Sequence, residues 1–451
     1  MLVNEQFQEI DRFEGSCSLK PGLIPEPGAL LVNHTTAQML KKNNLSHYNL
    51  IKEFEKKIRE WMPAIFIGYN SISFDEEFLR NTLFKLLKNP YITQLGGNKR
   101  GDLLNIARSA NLFFKDSIKT TFNSKGNAVF RLDQLAPENG IIIEKYGMKA
   151  HDALGDVLAT VKLGELIENN AKEVWNSSLK TTSKSDVDKI IQNEKIFLIN
   201  EFYGKARAYT VTFVCNHPVY NWPQCFDLKN NPLDYLSLTT KELSIAMKKS
   251  PKIVRSVKNN KHPILMNYNH FDKIDEYKEI GMEELMKRAR MVREDENFAT
   301  NVSLILEQEA EEKKYIENQE DLLAEESIYS GGFSSSFDKK IMQEFHSAGW
   351  EERMSIADKF KDQRFFYFAM RLIYEESPQS LPKDIYREIH RSIAKQILSI
   401  ENEKWNTIPK AYQELDNLRE NSERREDNNF LTLLSSLDDF FQEIERNYEN
   451  A

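Results

Sequence analysis

The sequence predicts an α/β domain over residues 1–175, an α+β domain over 176–327 and an all-α domain over 328–451. Three observations carry this division. Short apolar runs alternate with amphipathic helical patterns in the first part, which points to helices layered on a sheet. Aromatic and β-branched residues dominate a stretch near 196–215, as strands prefer. Beyond Ser330-Gly-Gly-Phe-Ser-Ser-Ser336 the pattern is helical to the end, with proline confined to boundaries.

Each element follows from its own residues. Ala64-Ile-Phe-Ile-Gly68 is a short strand. A polar turn follows, then a helix whose Phe74, Phe78, Leu79, Leu83 and Leu86 recur at helical steps and predict its buried stripe. Leu154, Val157, Leu158 and Val161 repeat that spacing and predict a second helix with one apolar face. The polar segment 176–188 reads as a linker. Ile196-Phe-Leu-Ile199 and Ala208–Cys215 read as strands, 303–326 as an acidic helix, and Phe365, Phe366, Ala369, Met370 and Ile373 as helical core.

Composition excludes several classes. With 40% hydrophobic and 29% charged residues among 451, and only 17 Gly and 14 Pro, the chain is neither fibrous nor mainly disordered. No apolar run approaches the ~18–20 residues that span a bilayer. The first ten residues lack the basic and apolar regions of a secretory signal. Three scattered cysteines argue against a disulfide framework or structural zinc and for a reducing cytoplasm. A formal charge of −8 means that any nucleic-acid site is a local patch. The run 241–262 is one: Lys241, Lys248, Lys249, Lys252, Arg255, Lys258 and Lys261 face a single acid, Glu242.

Two segments hold candidate chemistry. In Gly68-Tyr-Asn-Ser-Ile-Ser-Phe-Asp75 a strand ends and an aspartate opens the next helix. Ligands of open α/β sheets gather at such carboxyl ends. By itself Asp75 reads first as a helix-capping carboxylate. In His151-Asp-Ala-Leu-Gly-Asp156 a histidine placed in the loop can reach back over an aspartate at the edge of the apolar stripe. A carboxylate there needs a metal ion or cation as partner. The alternative is again a cap, with His151 at the surface.

Taken together, these segments resemble the RNase-H-like 3′→5′ exonucleases in which a histidine lies five residues before the last aspartate. Further motifs narrow the resemblance to bacterial exodeoxyribonuclease I: Ile24-Pro-Glu-Pro-Gly-Ala-Leu-Leu-Val32, Ile67-Gly-Tyr-Asn, Asn89-Pro-Tyr91, Asp102-Leu-Leu, Phe130-Arg131-Leu-Asp-Gln-Leu, Glu138-Asn-Gly-Ile, Asn260-Lys261-His-Pro and Ile328-Tyr-Ser-Gly-Gly-Phe. The resemblance runs the length of the chain. It implies an α/β RNase-H-like exonuclease domain, an SH3-like domain and a helical C-terminal domain. It also implies hydrolysis of single-stranded DNA to 5′-mononucleotides with two Mg2+ ions. On the same footing Asp75 and Asp156 would be metal ligands and His151 the general base. Val32, Arg80, Tyr91, Arg108, Arg131, Lys258, Asn260 and Lys261 would contact DNA. The acidic tail of single-stranded-DNA-binding protein would be a partner, and a cytoplasmic monomer that binds no membrane is expected.

One departure stands out. The family opens with a strand bearing Asp-x-Glu, two of its four metal-binding carboxylates, and residues 1–14 supply none. A shortened sequence is the expected reason, because a lost central strand would leave its neighbours unpaired. Two aspartates neutralise two close dications poorly, so weak magnesium binding and crippled catalysis are expected. The alternative is a non-catalytic single-stranded-DNA-binding protein that keeps the cleft.

Overall fold

In the computed structural model, which describes residues 1–33, 35–42, 45–147, 153–317, 322–420 and 428–451, the strands are short and few. They are β1 (Leu2–Val3), β2 (Glu9–Asp11), β3 (Ile65–Gly68), β4 (Lys99–Asp102), β5 (Thr121–Phe122), β6 (Ala128–Val129), β7 (Phe197–Phe202), β8 (Ala206–Asn216), β9 (Pro223–Asp227), β10 (Val254–Ser256) and β11 (Leu265–Asn267). β3 and β4 pair in parallel, with Gly68 opposite Asp102, so both carboxyl ends open on the same side. β7 to β11 form an antiparallel sheet in the order β10-β9-β8-β7-β11.

The chain groups into two compact units. The first joins residues 1–12, 61–78 and 91–321. Its cores lie between the helices and the sheets: Leu103, Ile106, Ala107 and Ala110 pack with Leu163, Ile167, Leu198 and Met266, while Phe226, Leu243, Tyr277 and Phe298 fill another. The second unit joins residues 13–60, 79–90 and 322–451. Its core collects Tyr48, Phe84, Phe345, Phe365, Phe368, Ile373, Ile393, Leu415 and Phe441.

The strands at 64–68, 196–199 and 208–215 form where the apolar runs predict them. The C-terminal part is helical, as its pattern predicts: Ser336–Ser347, Trp350–Ala357, Gln363–Glu376, Lys383–Ile397, Ile408–Glu420 and Asn428–Tyr448. Three expectations need correction. The segment 176–188 is no linker: the helix Lys172–Leu179 ends within it and the helix Lys184–Asn193 begins there, capped by the Ser183 side chain accepting from the Asp186 N–H. Val187 and Ile191 are the buried residues of that second helix, with Ile190 packed partly beside them, too sparse a pattern to stand out among polar neighbours. Phe74 and Phe78 are 69% and 72% exposed, whereas Leu83, Phe84, Leu86 and Leu87 are buried. On the helix Ala153–Asn170 the buried face is Gly155, Ala159, Leu163, Gly164 and Ile167, one position away from the predicted stripe. Small residues there admit close packing, Gly164 lying against the rings of Phe7 and Trp175.

Candidate functional site

The carboxyl ends of β3 and β4 are organised by one buried carboxylate. Asp102 closes β4 and caps the helix Leu103–Phe113, accepting from the Leu104 N–H at 3.1 Å. It also accepts from the N–H groups of Asn70 (2.9 Å) and Ile72 (3.2 Å) in the turn that leads to Asp75. Burial raises this carboxyl above the usual carboxylate range, although its three N–H donors and Arg108 pull the other way. The Asp102 N–H in turn donates to His262 Nδ1 (2.9 Å), so His262 carries its proton on Nε2, which donates to the Ser178 carbonyl (2.9 Å). The segment after β10 is thereby fastened to the β3–β4 edge. Arg100 adds a bond to the Asn260 carbonyl (3.1 Å), and Lys261 reaches Glu77 (3.1 Å).

Burial holds the His262 imidazole down at about 4, below its ordinary value of 6.5. Its contribution to stability is therefore complete above pH 6.5 and disappears as pH falls toward 4, because the unfolded chain takes up the proton first. His262→Asn is expected to be less stable than the parent at pH 7. Its further loss on acidification to pH ~4.5 should be smaller by about 2 kcal/mol, read by urea unfolding at both pH values. Equal losses in the two proteins would refute this linkage.

Beside this edge lies a cleft of about 630 Å3. Tyr69, Asn70, Leu104 and Arg108 line it together with Ala128 to Asp133, and Asn123, Asp156, Phe202 and Gly204 complete it. Arg108 is its unusual member. Its guanidinium stacks 3.8 Å from the centre of the Phe202 ring, its Nε is buried with no hydrogen-bond partner among the described residues, and burial lowers its affinity for its proton. A desolvated cation lacking an acceptor is a ready anion site. The Tyr69 hydroxyl donates to the Phe130 carbonyl at 2.6 Å, which ties the two lining segments together. Arg131, exposed at the rim, already pairs with Asp133 through two bonds (2.7 and 3.1 Å).

The residues singled out from the sequence are thus distributed unevenly. Arg108, Arg131 and Asp156 share the cleft. Asp75 is the first residue of the helix Asp75–Lys85 and is not among the cleft's lining residues. Its side chain is exposed by area, yet surrounding protein desolvates the carboxyl enough to raise it. His151 lies outside the described residues. Tyr91 is half-buried ahead of a single 3-10 turn, Ile92–Gln94. Val32 (62% exposed, at the end of the helix Pro27–Val32) and Arg80 belong to the second unit. Arg80 is no solvated charge there: it is buried, with a hydrogen bond to the Tyr329 hydroxyl (3.3 Å). Lys258 and Asn260 are exposed. The basic run 241–262 is less open than its sequence implies. Arg255 is buried between Asp227 and Glu201, and Lys261 is paired. Sequence reasoning assigned no role to Tyr69, Phe202, Asp102 or His262. The usable signal for Asp102 was its place between a strand and Leu103-Leu104, where a cap belongs. Phe202 enters from a distant strand and left no local mark.

Among the described residues, no three or more His, Cys, Asp or Glu side chains stand together as metal ligands.

The fold matches solved exonucleases over its length. The exonuclease I of Methylocaldum szegediense superposes with TM-score 0.80 at 18% identity, covering 98% of this chain and 94% of that one. E. coli exonuclease I in complex with a dA16 oligonucleotide gives TM-score 0.77 at 21% identity, covering 98% and 94%. The architecture is that of an exonuclease with SH3-like and helical domains appended. Residues 322–444 match the family model of the exonuclease I C-terminal domain. The exodeoxyribonuclease I of Buchnera aphidicola subsp. Acyrthosiphon pisum is 28% identical over 192 residues, which is 42% of this chain and 45% of that protein. Over that stretch the chain is similar to exodeoxyribonuclease I proteins. Its aligned stretch spans less than half the length of that curated relative.

Proposed function

We propose that the protein is a 3′→5′ exodeoxyribonuclease acting on single-stranded DNA, magnesium-dependent and releasing 5′-mononucleotides, and that catalysis is impaired in this chain. The observation that carries the nucleic-acid part is Arg108, a half-buried guanidinium on the wall of the cleft whose Nε has no hydrogen-bond partner among the described residues. A phosphate oxygen would supply that partner, and Phe202 and Tyr69 offer flat apolar surface for a sugar or base. Asp75 and Asp156 are the carboxylates we assign to the reaction centre and His151 its base. Arg131, Arg80, Tyr91, Val32, Lys258, Asn260 and Lys261 are assigned to DNA. Two aspartates are a poor cage for two Mg2+ ions, which favours a second reading: a DNA-binding protein that holds a strand without cutting it. Domain limits of 1–175, 176–327 and 328–451 belong to the same proposal. So does docking of the acidic tail of single-stranded-DNA-binding protein, since one solved exonuclease I structure is a complex with SSB-Ct.

A 3′-labelled oligothymidylate incubated with the protein and millimolar Mg2+ tests this. Salt-sensitive binding is expected, with nucleotide release near background. Brisk magnesium-dependent release would overturn the impairment, and no binding at low salt would overturn the nucleic-acid reading.

A further inference from the structure

The turn between β3 and the helix Asp75–Lys85 is tight and held from outside. A Cβ at Gly68 would meet the Ser71 Cβ at 2.6 Å, so the chain folds closely back on itself there. Asn70 follows in the left-handed region at φ 60°. Glycine is the ordinary residue for such a backbone, and another residue bears a cost that persists only where its surroundings fix it. Asp102 does the fixing. One of its carboxylate oxygens accepts from the Asn70 N–H (2.9 Å) and the other from the Ile72 N–H (3.2 Å). Asp102 itself is 3% exposed and is not among the residues that line the cleft. Farther along, the Glu76 N–H closes onto the Ser71 carbonyl (2.8 Å), and Thr93 Oγ1 donates to the Glu76 carboxylate (2.8 Å).

The side chain of Asn70 takes no part in this bracing. It is exposed, it lines the cleft with Arg108 and Phe202, and it makes no hydrogen bond among the described residues. A turn that needed only its shape would be served by glycine without conformational cost. What asparagine adds is an amide, with a donor group and an acceptor. Arg108 supplies the charge for a phosphate. The neutral amide beside it suits an uncharged polar group of the same nucleotide, on its sugar or base.

We propose that Asp102 is a positioning residue for strand binding: it holds Asn70 in the left-handed conformation, and the Asn70 amide bonds an uncharged polar group of the nucleotide in the cleft. This deepens the single-strand reading above and rests on it.

Binding of an oligothymidylate of about 4 nucleotides to the full chain in EDTA reads the cleft without turnover. Asn70→Gly and Asn70→Ala should each weaken it about three- to tenfold, as loss of one neutral hydrogen bond does, although only alanine is strained at φ 60°. Asp102→Asn should weaken it to a similar degree, because its amide sets an N–H group against one of the two backbone donors. In the Asn70→Gly chain, adding Asp102→Asn should cost no further affinity, since the side chain it positions is gone. The slope of log affinity against log salt should remain the parent's in all of these, unlike in Arg108→Ala. Asp102→Ser, which keeps an acceptor, replaces Asp102→Asn in the cycle if the latter does not fold. Parent-like binding by Asn70→Gly would overturn the amide contact. An equal loss from Asp102→Asn with either residue at position 70 would overturn the positioning role. Either result beside a weakened Arg108→Ala leaves the cleft reading standing, whereas indifference of the strand to Arg108→Ala removes that reading itself.

Discussion

Arg108→Ala is expected to weaken single-stranded DNA binding roughly 10- to 100-fold at low salt while leaving the folded protein about as stable as before. The affinity loss follows from removing one charge-assisted phosphate contact, worth about 1.5–3 kcal/mol. The unchanged stability follows from what Arg108 does in the free protein. Its buried Nε has no hydrogen-bond partner among the described residues, so deletion relieves a desolvation cost. Against this stands the lost stacking on Phe202, about 1 kcal/mol. The two nearly cancel. Arg108→Lys should recover part of the affinity, since it restores the charge without the planar stack on Phe202. The slope of log affinity against log salt should become shallower by about one unit in the alanine variant. Anisotropy titrations at several salt concentrations, paired with thermal unfolding, provide the check. Undiminished binding would show that the strand bypasses Arg108, and a large fall in melting temperature would show that its role is structural.

Arg255→Ala should do the opposite: cost about 3–5 kcal/mol of folding stability without a selective effect on DNA. Arg255 is 4% exposed and bonds Glu201 at 2.7 Å and Asp227 at 3.1 Å. Its guanidinium lies against the Tyr209 ring, and Asp227 is held on its other side by the Tyr277 hydroxyl (2.6 Å). Removing the cation leaves two carboxylates in a dry interior, and burial already raises Glu201 above its ordinary range. Urea unfolding at neutral pH measures the loss. Adding Glu201→Gln and Asp227→Asn in the same chain should recover part of it, because the uncompensated charges are then gone. A cost below 1 kcal/mol would mean that water reaches the site. Lys258→Ala, three residues away, should leave stability unchanged, and the contrast separates structural from strand-facing members of one basic run.

That contrast marks where local reading ends. Seven cations in 241–262 look alike in sequence, and only their partners divide them. Arg255 meets acids from β7 and β9, Lys261 meets Glu77, and Lys258 meets an aromatic ring. The same holds for apolar faces. Phe74 and Phe78 have the spacing of a buried stripe, yet the helix buries Leu83 and Phe84. Periodicity names a face, and the neighbours decide which residues of it are covered. The helix Lys184–Asn193 was hidden for the converse reason, since its polar composition conceals two anchoring residues.

What the chain's order of residues determined was local and motif-borne. The β3 strand and its turn to Asp75, the β7 and β8 strands, the helical C-terminal part and the exonuclease I resemblance were all legible, because propensity, periodicity and short motifs act over a few residues. What only the tertiary structure decided was company. It brought Arg108, Phe202 and Asp156 to one cleft, set His262 against Asp102 across 160 positions, and left Lys258 beside Trp222. Burial and pairing arise between segments distant in sequence, and no local pattern encodes which of them will meet.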